Sequence, residues 1–196
     1  ELNRELATRD GLTGLLNRRA AHEVLAREHP RVARGQGSLG LALLDIDHFK
    51  RINDGHGHDV GDQVLQRFAL TLGRQLRPGD ALVRWGGEEF LLLMPGTGPA
   101  DAQRTLARLR ASLSDAGFEA LLGGAGVTFS AGLVQCMAHE SHEAAMARAD
   151  RALYRAKAGG RDRVECDPAD GPGRADLTGE SRSDALHAAP SPAEAR

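Results

Sequence analysis

Apolar residues recur along the chain with two periods, one typical of strands and one typical of helices. Residues 39–46 form a nearly continuous apolar run, which predicts a buried strand. Residues 59–76 instead carry apolar residues at every third or fourth position, which predicts an amphipathic helix. This helical stripe consists of Val60, Val64, Leu65, Phe68, Leu72 and Leu76. The two segments together predict a protein that mixes strands and helices.

The remaining pattern predicts ten elements in all. Their order is helix 14–29, strand 39–46, short helix 48–53, helix 59–76, strands 81–85 and 89–94, helix 99–116, strand 126–135, helix 142–158 and a short strand at 163–166. Helix 142–158 is rich in alanine and can therefore pack close to a sheet. One hairpin among helical crossovers predicts an α+β fold, with helices around a single central sheet.

Length and composition support one folded domain with a flanking segment on each side. The chain of 196 residues is 41% hydrophobic and can bury one substantial core, which we expect within residues 10–166. Residues 1–9 are predicted to be the end of a helix. Residues 167–196 hold four of the eight prolines and only two large apolar residues, so we expect disorder there.

Charge and cysteine usage narrow the class of protein. The formal net charge of −2 argues against a nucleic-acid-binding protein. The sequence shows no transmembrane run and no signal peptide. Cys136 and Cys166 lack the spacing of a metal site, so we expect reduced thiols in a cytoplasmic protein.

A Gly-Gly pair followed by two carboxylates stands between the predicted strands 81–85 and 89–94. Gly86 and Gly87 predict a tight hairpin turn, because glycine accepts a positive φ and lets a ligand approach the backbone. Glu88 and Glu89 follow directly and point to opposite faces of the strand. Considered alone, this segment is equally typical of an ordinary solvated turn.

A second acidic element ends the buried strand 39–46. Asp45 and Asp47 share one face, and a carboxylate at such a place is costly unless it is paired, hydrogen-bonded or bound to a metal. We assign Asp47 to capping the following helix. Asp45 has no evident structural role, and with one hairpin glutamate it could bind Mg²⁺ that also contacts phosphate oxygens.

Several spaced motifs resemble the GGDEF domain, the diguanylate cyclase module. The resemblance covers roughly residues 10 to 165. Its motifs are Asp10-Gly11-Leu12-Thr13-Gly14-Leu15-Leu16-Asn17-Arg18-Arg19, residues 45–54, Gly57-His58-Asp59-Val60-Gly61-Asp62, Gly86-Gly87-Glu88-Glu89-Phe90 and Ala152-Leu153-Tyr154-Arg155-Ala156-Lys157 with Gly160-Arg161. The resemblance implies a palm-like, ferredoxin-related fold shared with nucleotide cyclases.

The resemblance also implies a reaction. Two GTP molecules would condense into cyclic di-GMP with release of two pyrophosphates, in a homodimer whose domains each hold one GTP. Two divalent cations, Mg²⁺ or Mn²⁺, would act in each active site. Asp45, the backbone carbonyl of Ile46, Glu88 and Glu89 resemble the metal ligands of the family, and Glu88 resembles its proposed base.

Contacts to the substrate are implied by the same resemblance. Lys50 resembles a catalytic lysine that neutralises phosphate charge, while Lys157 and Arg161 resemble the pair that binds the terminal phosphates. Phe49, Gly86 and Gly87 belong to the implied GTP site. Guanine would be recognised by Asn53 and Asp62, for which a helix C-cap and a solvated first-turn acid are the alternative interpretations.

Arg77-Pro78-Gly79-Asp80 is typical of a type II turn. Its offset from Gly86 resembles the inhibitory RxxD site of the family, at which cyclic di-GMP restrains the enzyme. A plain salt-bridged turn is the alternative interpretation of these four residues.

Other functions fit parts of the pattern. A catalytically silent receptor for GTP or cyclic di-GMP, or a dimerisation module, would need no intact Asp45 and Glu88. Because the chain begins with Glu1 rather than methionine, we expect it to be a fragment of a longer protein whose upstream sensor is missing. A membrane anchor, if the full-length protein has one, would lie in that upstream region.

Overall fold

A six-stranded mixed sheet forms the centre of the protein. The computed structural model describes residues 8–167, so most of the predicted segment 1–9 and nearly all of the predicted tail 167–196 lie outside the described residues. The elements are β1 Leu16–Asn17, α1 Arg18–Ala33, β2 Leu39–Ile46, α2 Phe49–His56, α3 His58–Gly73, β3 Ala81–Arg84, β4 Glu89–Pro95, α4 Pro99–Ser112, α5 Phe118–Leu121, β5 Phe129–Gln135, α6 His142–Ala158 and β6 Val164–Asp167.

Strand β2 lies near the middle of the sheet. The strand order is β1-β3-β4-β2-β5-β6. Strand β2 runs antiparallel to both β4 and β5, whereas β1 pairs with β3 and β5 with β6 in parallel. All eight residues of β2 are buried, because helices cover both faces of the sheet at this position. This explains why β2 has no alternation of polar and apolar residues.

The helices form two layers on opposite faces of the sheet. Helices α1 and α6 pack on one face, against Leu41, Leu43, Leu91 and their neighbours. Helices α3, α4 and α5 pack on the other face, against Leu44, Phe90, Leu92 and Phe129. The predicted α+β sandwich is therefore confirmed, with the core divided between the two faces of one sheet.

The bounds of the predicted elements differ from the structure mainly at helix ends. Strand β2 and helix α6 have the predicted bounds. Helix α1 begins at Arg18 rather than at residue 14, because the side chain of Asn17 accepts a hydrogen bond from the backbone of Ala20 and caps the helix there. Strand β1 and helix α5 were not predicted, since two and four residues are too short for a periodic pattern.

Helix α6 lies in direct backbone contact with β5. A Cβ atom placed on Gly132 would lie 2.0 Å from the backbone oxygen of Ala149 and 2.4 Å from the backbone nitrogen of Leu153. Only glycine permits this approach, and Ala145, Ala149 and Ala152 supply the small side chains on the facing helix. The predicted close packing of the alanine-rich helix is confirmed.

Both cysteines are thiols, as predicted. Cys136 is buried, and its burial raises the pKa of the thiol to about 12. Cys166 is half-buried and its sulfur accepts a hydrogen bond from the side chain of Gln103. Within residues 8–167, every helix is too short or too polar to cross a lipid bilayer.

We expect the substitution Gly132→Ala to destabilise the protein by about 1–3 kcal/mol or more, because the added methyl group overlaps backbone atoms that cannot rotate away. Thermal unfolding followed by circular dichroism measures the change. Gly37→Ala is the matched control, since a Cβ atom at Gly37 meets nothing within 4 Å. Equal melting temperatures for the two variants would contradict the close packing of α6 on β5.

Candidate active site

Three acidic residues lie where the end of β2 stands beside the start of β4. In the antiparallel register Asp45 lies directly opposite Glu89, so both side chains stand on the same face of the sheet. The backbone nitrogen of Ile46 donates to the backbone oxygen of Glu88 at 3.3 Å, which places Glu88 beside the end of β2. The predicted acidic elements, which are more than 40 positions apart in the sequence, therefore converge.

The hairpin turn differs from the predicted one. Residues 85–88 connect β3 to β4, and the backbone nitrogens of Trp85 and Gly86 both donate to the backbone oxygen of Glu89. Neither Gly86 nor Gly87 has a positive φ, so the conformational argument for these glycines was wrong. Gly86 instead leaves room for Glu89, since a Cβ atom there would lie 3.1 Å from a carboxylate oxygen of Glu89 and would displace that side chain slightly.

The Asp45 carboxylate forms an ion pair with helix α6. Lys157 Nζ lies 2.7 Å from Asp45 Oδ2. Burial raises the pKa of Asp45, and the hydrogen bond and charge of Lys157 oppose this rise without cancelling it. Arg161 is also close enough for its charge to lower the pKa of Asp45. Lys157 and Arg161, predicted from the last motif, therefore lie at the acidic cluster.

Glu88 is affected by the same cluster. Burial raises its pKa, and the neighbouring negative charge of Asp45 raises it further. Lys157 counteracts both effects only in part. The site thus holds more negative charge than its lysine offsets, an arrangement that favours binding of a cation.

The donor set fits a divalent metal that is completed by other oxygen ligands. Among residues 8–167, no three His, Cys, Asp or Glu side chains are arranged to hold an ion by themselves. Asp45, Glu88 and Glu89 could each contribute a carboxylate, and Ile46 a carbonyl. Mg²⁺ is commonly bound in this manner, with one or two carboxylates and the remaining positions filled by water and phosphate.

Asp47 does not cap the following helix, so that prediction was wrong. Helix α2 begins after His48, which has a left-handed φ of 58° and makes no side-chain capping bond. The buried Asp47 carboxylate instead accepts hydrogen bonds from the hydroxyls of Thr128 and Ser130, each at 2.7 Å, and from the backbone nitrogen of Asp162 at 3.0 Å. Asp47 therefore links the end of β2 to the loop after α6.

Two predicted residues of the short helix lie in different environments. Lys50 is exposed on the first turn of α2. Phe49 is buried in the core with its ring beside Gly61, so its side chain is not available to a ligand. Of these two residues, therefore, only Lys50 has a side chain that is accessible from solvent, whereas the side chain of Phe49 packs in the core.

Asn53 lies in a narrow gap between α2 and α3. A Cβ atom on Gly61 would lie 1.9 Å from Asn53 Oδ1, so glycine is needed for the side chain to sit there. This oxygen is buried and has no hydrogen-bond partner among the described residues. Gly57, not Asn53, is the C-cap of α2. Asp62 follows Gly61 directly and is exposed.

The Arg77–Asp80 turn lies at the other end of β3 from the hairpin turn. Gly79 has a φ of 99°, as the predicted type II turn requires, and Arg77 Nε lies 3.2 Å from Asp80 Oδ1. The Arg77 guanidinium also donates to the backbone oxygen of Pro95 and the hydroxyl of Thr97. About half of the Arg77 side chain remains exposed.

A set of hydrogen bonds from Arg84 to Asp10 and Gly87, here called the brace, supports the hairpin turn and was not predicted. Arg84 donates to both carboxylate oxygens of Asp10, at 3.1 and 3.3 Å, and to the backbone oxygen of Gly87 at 3.0 and 3.2 Å. The Asp10 carboxylate also accepts two hydrogen bonds from Thr13. Asp10 and Thr13 belong to the first motif of the sequence, which was the available signal, but no function had been assigned to them.

Sequence comparisons place the whole folded region in one family. The model of the diguanylate cyclase GGDEF domain matches residues 7–163. The chain is 47% identical over 165 residues to diguanylate cyclase DgcP of Pseudomonas aeruginosa, covering 84% of this chain and 25% of DgcP. It is 43% identical over 163 residues to response regulator PleD of Caulobacter vibrioides, covering 82% of this chain and 36% of PleD. The chain therefore spans only about a quarter to a third of the length of these relatives.

Solved structures agree with this assignment. Diguanylate cyclase SiaD of Pseudomonas aeruginosa, solved with its activator SiaC, superposes with a TM-score of 0.78 at 42% identity, over 85% of this chain and 64% of SiaD. The coiled coil and GGDEF domain of DgcB from Caulobacter crescentus, solved with c-di-GMP, gives 0.77 at 36% identity, over 85% and 88% of the two chains. Family model, relatives and fold together show that this chain belongs to the GGDEF-domain family of diguanylate cyclases.

Proposed function

We propose that this chain is a diguanylate cyclase, which condenses two GTP molecules into cyclic di-GMP and releases two pyrophosphates. The observation that carries the proposal is the convergence of Asp45 and Glu88 with Lys157 and Arg161, which joins metal-binding carboxylates to phosphate-binding cations in one site. Relatives named as diguanylate cyclases, and a similar GGDEF structure bound to c-di-GMP, support it.

The residues of the site have distinct roles in this reaction. Asp45, Glu88, Glu89 and the carbonyl of Ile46 would hold Mg²⁺ or Mn²⁺. When bound, one such ion would lower the pKa of the attacking 3′-hydroxyl, and the other would neutralise negative charge on the leaving pyrophosphate. Glu88 would accept the proton of the 3′-hydroxyl, since it stands beside the metal-binding carboxylate Asp45.

The cations of the site bind the triphosphate. Lys157 and Arg161 approach from the end of α6, and Lys50 from the exposed first turn of α2. Lys157 is paired with Asp45 in the protein alone, so triphosphate must draw this lysine toward itself and leave Asp45 to a metal. Gly86, Gly87 and the backbone of Phe49 line the same substrate site without adding side-chain bulk.

Guanine binds between α2 and α3 in this proposal. The buried, unpartnered Asn53 Oδ1 and the exposed carboxylate of Asp62 accept from the N–H groups of guanine. Adenine lacks that pattern of donors and would leave both acceptors without a partner in the complex, which disfavours binding of ATP. The site is thus specific for GTP over ATP.

Two domains must face each other for the reaction to occur. The described residues 8–167 bring together one cluster of carboxylates with phosphate-binding cations, which suits one GTP. Each domain would therefore supply one substrate, and a homodimer would supply both. We propose that a region outside this chain controls that encounter, as a sensor domain would.

Cyclic di-GMP should form when concentrated protein is incubated with GTP and Mg²⁺, and chromatography with mass spectrometry identifies it. Asp45→Asn and Glu88→Gln should each lower the rate roughly 10²–10³-fold, because each removes charge that acts on the transition state. Asp101→Asn, at an exposed ion pair on α4, is the control and should keep the wild-type rate. GTP binding without product, even when the chain is fused to a dimerising coiled coil, would instead favour the silent receptor.

Product inhibition through the Arg77–Asp80 turn is a second expectation. About half of the Arg77 side chain is exposed, and we propose that its guanidinium binds the phosphates of cyclic di-GMP. Arg77→Ala should keep its initial rate but need several-fold more added product for half-inhibition. Arg74→Ala, at an exposed arginine three positions before Arg77, is the matched control. Identical inhibition curves for Arg77→Ala and wild type would exclude this site.

The brace behind the hairpin turn should matter for turnover more than for folding. Arg84→Ala removes the link between Asp10 and the backbone of Gly87, so Glu88 loses its fixed position. We expect kcat to fall by about 10²-fold, as small misplacements of reacting groups commonly cause, while KM for GTP changes little. Steady-state kinetics on variants with matched melting temperatures tests this. A rise in KM with unchanged kcat would instead show that the hydrogen bonds of Arg84 act on substrate affinity, which would contradict this prediction.

A further inference from the structure

The loop that follows α6 has an unusual backbone conformation. Arg161 and Asp162 have φ values of 61° and 45°, in the left-handed region that residues with a side chain rarely adopt. Two such residues in succession persist only when surrounding contacts impose the conformation. Arg161 is also the residue to which the proposed function gives a phosphate-binding role.

One side of this loop is held by the end of β2. The backbone nitrogen of Asp162 donates to Asp47 Oδ2 at 3.0 Å. Thr128 and Ser130 of the β5 side hold the same carboxylate through their hydroxyls, so Asp47 is itself fixed. The backbone nitrogen of Arg161 donates to the oxygen of Ala156 at 3.0 Å, which ties the loop to the last turn of α6.

The other side of the loop is held by Arg110 of α4. Arg110 Nε and Nη2 donate to Asp162 Oδ1 at 3.1 and 2.8 Å. Nη2 also donates to the backbone oxygen of Asp162. One guanidinium therefore binds both the side chain and the main chain of Asp162, which fixes Asp162 and the peptide bond that follows it.

Resting on the proposed function, we infer that Arg110 is a positioning residue for the triphosphate site, acting through Asp162 on Arg161. Arg110 contacts Asp162 from α4 while Asp47 contacts it from β2, so the loop is clamped between the two layers of the protein. Arg161 directly precedes Asp162, so the contacts of Asp162 set the direction in which the Arg161 side chain leaves the loop. Lysine could replace the charge of Arg110 but not its simultaneous contacts with two oxygens.

A role in stability alone would give a different result. The side chains of Arg110 and Asp162 are 34% and 53% exposed, and exposed ion pairs contribute little to the stability of a fold. Loss of Arg110 should therefore leave the melting temperature close to that of the wild type. A positioning role predicts weaker binding only of ligands that reach Arg161 with their terminal phosphates.

Isothermal titration calorimetry with Mg²⁺ separates these roles without any turnover. The probes are GMP and a GTP analogue with a methylene bridge between the α- and β-phosphates. For Arg110→Ala we expect Kd for the analogue to rise roughly fivefold, the upper end for one exposed ion pair, with Kd for GMP unchanged. Arg110→Lys should give an intermediate Kd. Arg104→Ala, on the same helix and paired only with Asp101 among the contacts described, is the matched control.

The outcomes distinguish this inference from the proposed function. Unchanged affinity of Arg110→Ala for the analogue, or equal weakening toward the analogue and GMP, would overturn the positioning role while leaving the cyclase proposal intact. A wild-type protein that binds the analogue no better than GMP would overturn the phosphate site and this inference together. Selective weakening toward the analogue supports the inference even if the isolated chain makes no cyclic di-GMP.

Discussion

The ion pair between Asp45 and Lys157 connects the two parts of the protein on which the site depends. Asp45 ends a strand that is buried on both faces, and Lys157 lies near the end of the helix that packs across that strand. A buried carboxylate without such a partner would be strongly unfavourable. The pair therefore fixes the end of β2 relative to α6, and it holds Lys157 beside the carboxylates at the end of the sheet.

Two aspartates two positions apart illustrate how environment assigns different tasks to the same residue type. Asp47 is fully satisfied by two hydroxyls and a backbone N–H group, and it serves the structure. Asp45 receives a single lysine and remains under the repulsion of its acidic neighbours, so it favours a further cation. The burial of the two residues is similar, and only their hydrogen-bond partners distinguish a structural carboxylate from a candidate metal ligand.

The sequence was sufficient for features that depend on nearby residues. Strand β2 and helix α6 had the right bounds, because eight apolar residues in a run and an alanine-rich helical stripe are local patterns. The pairing of Asp45 with Glu88 was predicted from the resemblance to the GGDEF family, whereas the residues alone indicated only that Asp45 and one of the two hairpin glutamates could share a cation. In contrast, the partners of Asp47 lie 81 to 115 positions away, and those of Arg84 include Asp10 at a separation of 74. No periodic pattern encodes such contacts, which arise only when the sheet and its layers assemble.

The contact between Gly132 and the backbone of α6 has a mechanical consequence. With no side chain between them, β5 and α6 interlock at the level of main-chain atoms, and α6 cannot slide or rotate without moving the sheet. Lys157 and the loop that carries Arg161 therefore travel with the strands that carry the carboxylates. Any movement of this domain therefore carries the candidate metal ligands and the phosphate-binding cations together, and it leaves their arrangement relative to one another unchanged.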